Sequence, residues 1–203
     1  MKRVFLAAIA VFALLLADVF VTPQVQAMKR KQNFSARQWH FDKQKYAARK
    51  VNYISDEKPG TIIIDTGRHY LYLILGNDKA MRYGIGVGRS GFQWSGVAKI
   101  GNKAEWPAWH PPKEMIAREL KQYGRRLPEV MKGGPENPLG ARAMYLYQNG
   151  RDTLYRIHGT NQPWTIGHNV SSGCIRLRNE DVIDLYKRVK VGAKVIVKKG
   201  GFW

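Results

Sequence analysis

The sequence predicts one mainly β domain with one or two helices, preceded by a signal peptide and a basic lead-in. Three observations carry this. Short apolar runs are broken repeatedly by Gly, Pro, Asn and Asp, which is the pattern of strands joined by turns. Only one stretch has a clear helical apolar stripe with charged ends. A single long apolar run lies at the very start, behind basic residues.

Met1-Lys2-Arg3 opens the chain, Val4 to Ala17 is uninterrupted apolar sequence, and Val25-Gln26-Ala27 offers small residues at a cleavage site. Basic, then apolar, then small is the layout of a secretory signal. A membrane-spanning helix needs about 18 or more apolar residues, so a permanent anchor is the weaker reading. The expectation is export, with cleavage after Ala27 and no other tie to a membrane. Residues 28–58 follow as a basic segment. They hold Lys29, Arg30, Lys31, Arg37, Lys43, Lys45, Arg49, Lys50 and Lys58 against Asp42, Asp56 and Glu57. Their apolar residues show no firm period, which suits either a tether to an anionic surface or a solvated linker.

From Pro59-Gly60 the strand signals begin. Thr61–Asp65 is a short apolar run, Thr66-Gly67 a turn, and Arg68–Leu75 alternates Tyr70, Tyr72 and Ile74 against Leu71, Leu73 and Leu75. Ala80–Val87 reads as a third strand of an antiparallel meander. Glu114–Gln122 suggests a short helix. Ala141–Tyr147 and Thr153–Ile157 flank Asn149-Gly150, a strong hairpin signal. Asn179 is placed to cap a helix with Glu180 and Asp181 in its first turn and Val182, Leu185, Tyr186 and Val189 as its apolar stripe. Val195–Val197 closes as a strand, and residues 199–203 form a tail.

The chain has 203 residues, enough for one domain with a real core. Its 34 Lys+Arg against 15 Asp+Glu give a net charge of +19, which implies an anionic partner. An exported basic protein rarely meets nucleic acid, and no helix-turn-helix, zinc-ligand or aromatic RNA-binding pattern is present. Anionic lipid and carboxylate-bearing wall polymer remain. One cysteine excludes an internal disulfide and a Cys-based zinc site.

That cysteine, Cys174, lies in Ser171-Ser172-Gly173-Cys174-Ile175-Arg176. A free cysteine is usually a small buried hydrophobe. Here it sits in a polar, glycine-bearing stretch, where the backbone can turn sharply and bring amide N–H groups to a reacting carbonyl. Nucleophilic catalysis needs a neighbouring base to take the thiol proton. The histidines are His40, His69, His110, His158 and His168. His158 is favoured because it ends a strand, which places a side chain firmly; His168 lies in the intervening loop. No carboxylate lies within this segment, so no His-based metal site is expected there.

His158-Gly159-Thr160-Asn161 together with Ser171–Arg176 resembles the L,D-transpeptidase catalytic domain, also called the YkuD domain. Gly86–Gly91, Trp94-Ser95-Gly96, Ala104–Pro107 and Asn137–Gly140 resemble its Gram-negative branch, and the resemblance covers about residues 59–198. Many members carry His before the Gly-Cys pair; Ser172 stands there, as it often does in the Gram-negative branch. The resemblance implies a β-sandwich with the cysteine in a cleft, no cofactor and no metal. It implies Cys174 as nucleophile, His158 as general base and acid, the Gly159 carbonyl orienting His158, and Gly173 backbone in the oxyanion hole. Arg176, Asn161, Trp164 and Ser172 are its implied substrate-binding residues. The implied substrate is a peptidoglycan tetrapeptide stem, cleaved at its diamino acid–D-Ala bond in the periplasm. The acyl group would pass to another stem's amine, giving a 3–3 cross-link, or to an outer-membrane protein or lipoprotein. Two other classes stay open: an L,D-carboxypeptidase or wall-protein-releasing hydrolase using the same site, and a non-catalytic basic wall-binding protein.

Overall fold

The computed structural model describes residues 41–89 and 94–198. The expected signal peptide, the first part of the basic segment, part of the Gly86–Gly91 motif and the 199–203 tail lie outside these. The described residues belong to one unit that begins at Trp39. In chain order the elements are α1 (Lys43–Tyr46), β1 (Arg49–Asn52), β2 (Ile62–Asp65), β3 (Tyr70–Gly76), β4 (Lys79–Gly84), β5 (Val87–Gly88) and β6 (Gly96–Glu105). They continue with α2 (Lys113–Tyr123), β7 (Arg142–Gln148), β8 (Arg151–His158), β9 (Asn169–Ser171), β10 (Ile175–Arg176), α3 (Asn179–Arg188) and β11 (Lys194–Lys198).

Nine strands form one mixed sheet in the order β1-β4-β3-β2-β11-β6-β7-β8-β10, and β5 pairs with β9 beside it. The expected meander is present as β2-β3-β4, antiparallel throughout. Alternation sorts its residues as the pattern requires. Ile62, Ile64, Leu71 and Leu73 enter the main core with Met144, Leu146, Ile157, Val182 and Leu185. Ile63, Tyr72 and Ile74 form a second cluster on the other face. The main core draws on strands from β2 to β10, so the sheet must coil around it. The coil nearly closes: beyond β4, Gly86 exchanges both backbone hydrogen bonds with Arg176 of β10, at 2.9 and 2.8 Å.

The structure differs from expectation in four places. Residues 41–58 are not only a linker, because α1 packs on the sheet and β1 is its edge strand, paired with β4. Asp42 accepts the Lys45 N–H at 2.9 Å to cap α1, and Tyr46 is buried. A single turn of helix has no period to detect, so three α-helices stand among the described residues where one or two were expected. Strand β6 was hidden by Gly96, Gly101 and Asn102; at Gly101 a side chain would strike the Tyr147 ring. His69, expected within a strand, lies in the turn before β3 at φ 60. Asn179 opens α3 but does not cap it; Arg178 is the cap residue.

Two expectations hold closely. Asn149 and Gly150 take φ 51 and 76, the left-handed pair that a tight β7–β8 hairpin requires. Val182 and Leu185 are buried along α3, and Val189 is buried just past its end.

Candidate active site

The site is set by the short parallel ladder between β8 and β10. Ile157 pairs with Ile175 and His158 with Arg176. Residues opposite one another share a face, and neighbours along a strand alternate. Ile157 and Ile175 are both in the main core. Arg156 and His158 on β8, with Arg176 on β10, therefore share the opposite face, and Cys174 immediately precedes β10. The residues most distant in the sequence motif are neighbours in the sheet.

His158 ends β8 with 3% of its surface exposed. Its Nδ1 lies 2.5 Å from the carbonyl oxygen of Gly159. A carbonyl only accepts, so Nδ1 carries the proton and Nε2 keeps its lone pair. Burial, and then the Arg176 guanidinium, push the imidazole down to about 3, against smaller upward pulls from the Gly159 and Leu139 backbone. At neutral pH the ring is an uncharged proton acceptor.

Cys174 is a free thiol. Burial pushes its pKa above the ordinary thiol value; the Arg156 backbone amide and the Arg156 and Arg176 guanidinium groups oppose this without cancelling it. The resting pair is neutral thiol with neutral imidazole. In a nucleophilic attack by this thiol, the proton would have to transfer during the attack itself.

The turn before the cysteine is held by Ser171, which is buried. Its Oγ donates to the Cys174 carbonyl at 2.6 Å and accepts the Gly173 N–H at 3.2 Å. Gly173 has φ 116, a conformation that side chains resist. The Gly173 amide expected in the oxyanion hole thus already has a partner, and glycine serves here to permit the turn.

His158 is fastened from behind. The Leu177 N–H donates to its carbonyl at 2.8 Å, and Gly159 N–H donates to Arg142 at 3.0 Å. Asn179 Oδ1 accepts the Ala141 N–H at 2.9 Å. A Cβ at Gly140 or Gly159 would collide with that same oxygen. The start of β7, the end of β8 and the start of α3 meet there, which is why Asn179 is unavailable as a cap. Arg178 takes the helix acids instead, meeting Glu180 at 2.6 Å and Asp181 at 2.7 and 2.9 Å.

The other expected residues divide. Arg176 has a buried Nε with no hydrogen-bond partner among the described residues, and burial lowers its pKa. Asn161 donates to the Glu136 carbonyl at 2.8 Å and so ties two loops together. Trp164 is 41% exposed in the turn Pro163–Thr165, and Ser172 is exposed. His40 lies outside the described residues. His69 Nε2 meets Asn169 Oδ1 at 2.7 Å, and burial together with His69 and Lys45 lowers the pKa of His168.

Sequence reasoning missed Arg156, Ser171 and Asn179. Arg156 was findable, because it stands two residues before His158 on a strand and so must share its face. Its charge is matched by Asp152, at 2.7 and 2.9 Å, and it stacks on Tyr145 with its guanidinium carbon 4.5 Å from the ring centroid. Asn179 was not findable, since its partner is 38 residues away.

Residues 59–197 match the family model of the L,D-transpeptidase catalytic domain. The Escherichia coli K12 protein described as "Probable L,D-transpeptidase YbiS" is 39% identical over 140 residues, which are 67% of this chain and 43% of that protein. The Salmonella typhimurium protein described as "Probable L,D-transpeptidase ErfK/SrfK" is 42% identical over 115 residues, 55% of this chain and 35% of that one. The chain thus spans about two-fifths of the length of these relatives. A crystal structure from Brucella melitensis, described as a probable carnitine operon oxidoreductase, is 52% identical and covers 76% of this chain and 94% of that one, with a TM-score of 0.51. The Gly86–Gly91 spacing fits a dinucleotide fingerprint by letter. Its described part, Gly86 to Arg89, follows an antiparallel meander and contains strand β5, whereas the dinucleotide fingerprint belongs to a βαβ unit. With the family model matching most of the chain, and relatives of the same description, this chain belongs to the L,D-transpeptidase catalytic domain family.

Proposed function

We propose that the protein is a peptidoglycan L,D-transpeptidase acting in the periplasm after export. The observation that carries this is the common face of β8 and β10, which sets His158, with Nδ1 bound to Gly159, beside the strand that follows Cys174. Cys174 Sγ attacks the carbonyl joining the stem's diamino acid to its terminal D-Ala, and His158 Nε2 takes the thiol proton. The C–S bond forms and an oxyanion develops, with the Cys174 N–H as donor now that Gly173 is held by Ser171. As the C–N bond breaks, His158 returns the proton to the D-Ala amine, leaving a thioester. An acceptor amine then attacks the thioester, its proton passes to His158, and the departing thiolate is reprotonated.

Arg176 supports a donor bearing a carboxylate, because its buried Nε lacks an acceptor among the described residues. The acceptor is the side-chain amine of a second stem, or an amine of an outer-membrane protein or lipoprotein. The test incubates the chain with disaccharide-tetrapeptide and follows products by liquid chromatography and mass spectrometry beside Cys174→Ala. A dimer lighter by one D-Ala, absent in the variant, supports stem-to-stem transfer. A dimer only when protein amine is supplied supports the second acceptor. Tripeptide alone under both conditions would assign the site to hydrolysis instead.

A further inference from the structure

At the β1 edge, a second group of cations stands apart from the acyl-transfer residues. Arg49 is paired directly with Arg82 across β1 and β4, so both side chains leave the same face of the sheet. Like charges opposed in this way destabilise an antiparallel pair. No ion pair among the described residues relieves them. Asp65, opposite Tyr70 on the neighbouring strands, instead accepts the Arg68 N–H at 2.9 Å and lies 3.8 Å from its guanidinium.

The Arg82 guanidinium lies over the Tyr70 ring, its carbon 4.3 Å from the centroid. Its Nε and Nη2 are buried and have no hydrogen-bond partner among the described residues. These two N–H groups form one edge of the fork, the pair of parallel donors that fits the two oxygens of a carboxylate. Buried donors are normally satisfied, so a pair left open on one edge calls for an acceptor from outside. Tyr70 Oη also donates to the Lys45 carbonyl at 3.1 Å and so holds α1 beside this face.

The cluster is also within reach of the thiol loop. Four residues beyond Arg82, Gly86 bonds to Arg176 through both backbone groups. At about 3.4 Å per residue, Arg82 and Gly86 are separated by no more than roughly 14 Å.

We propose that Arg82 and Arg49 form a carboxylate-binding subsite, floored by Tyr70, for a stem-peptide carboxylate of the wall polymer away from the bond that is cut. This rests on the peptidoglycan reading for its ligand, but not on the thiol chemistry. The fork favours an acceptor that presents two oxygens side by side, as a stem carboxylate does. It would hold the polymer while the donor stem reaches Cys174.

The experiment is co-sedimentation of the full chain with purified peptidoglycan sacculi, native or with their carboxylates amidated. The variants are Arg82→Gln, Arg82→Lys and Arg49→Gln, each checked by its melting midpoint. Arg82→Gln should weaken binding to native sacculi roughly tenfold. Arg82→Lys should recover little of that, because the charge is kept and the fork is lost. Amidated sacculi should bind the parent about as weakly as native sacculi bind Arg82→Gln. Full rescue by Lys, or binding indifferent to amidation, would overturn the proposal. If Arg82→Gln does not fold, Arg49→Gln on the exposed edge strand decides: a loss of about threefold supports the subsite, and no loss overturns it. Turnover without any dependence on Arg82 would refute the subsite alone. Arg82-dependent binding without a thioester would refute the chemistry alone.

Discussion

His158 Nδ1 lies 2.5 Å from the carbonyl oxygen of Gly159, the next residue in the chain. This contact needs no third side chain, and it fixes both the tautomer and the ring plane. The imidazole is held neutral in a buried position, and that has a consequence for stability. Its pKa is about 3 in the folded protein against 6.5 as the ordinary value. Between those values the unfolded chain binds a proton that the folded chain does not, so stability rises with pH. The contribution is fully present above pH 6.5 and is lost as pH falls toward 3. Denaturant unfolding of the parent and of His158→Gln at pH 7, 6, 5 and 4 should differ in slope by about 1 kcal/mol per pH unit.

Cys174 should behave as a thiol of raised pKa rather than a standing thiolate. Alkylation by iodoacetamide should therefore be slow at pH 7 and still be rising at pH 9. A plateau between pH 5 and 6 would mean a preformed ion pair. Since the Arg156 guanidinium lowers this pKa, Arg156→Gln should move the alkylation profile to higher pH. The shift is read from the rate profile alone and needs no substrate.

Asn179 joins the start of β7 to the start of α3 directly behind His158. Asn179→Ala should cost about 1–2 kcal/mol by leaving the Ala141 N–H without its acceptor. It should lower kcat more than it raises KM, because the histidine is misplaced while the substrate face is intact. Gly140→Ala should be worse, because Gly140 sits at φ 63 and its new methyl would strike the Asn179 oxygen. Thermal melts and steady-state kinetics separate the two effects.

Leu71 is fully buried on β3 in the main core. Leu71→Ala should cost about 3 kcal/mol of unfolding free energy. The rate of Cys174 alkylation, measured well below the melting midpoint, should stay unchanged.

Much of the fold was readable where local chemistry dominates. Alternation in Tyr70–Leu75 sorted two cores correctly, and Asn149-Gly150 marked its hairpin because the turn demands left-handed residues. Cys174 and His158 stood out as candidates because a glycine turn and a strand end leave traces in the residues next to them. What stayed hidden depends on tertiary contact. Strand β6 is broken by glycines that make sense only beneath the Tyr147 ring. Asn179 looks like a cap until Ala141 is seen to need its oxygen. The Gly173 amide looks available until Ser171 closes on it.

The most direct measurement of the central claim is the intact mass of the protein after brief exposure to a tetrapeptide stem, for the parent, Cys174→Ala and His158→Gln. The parent should gain the mass of the tripeptide acyl group on Cys174 and release one D-Ala for each acylation. Cys174→Ala should gain nothing, and His158→Gln should acylate at least a hundredfold more slowly, the scale of losing a positioned general base. Release of D-Ala by Cys174→Ala at the parent's rate would contradict the account.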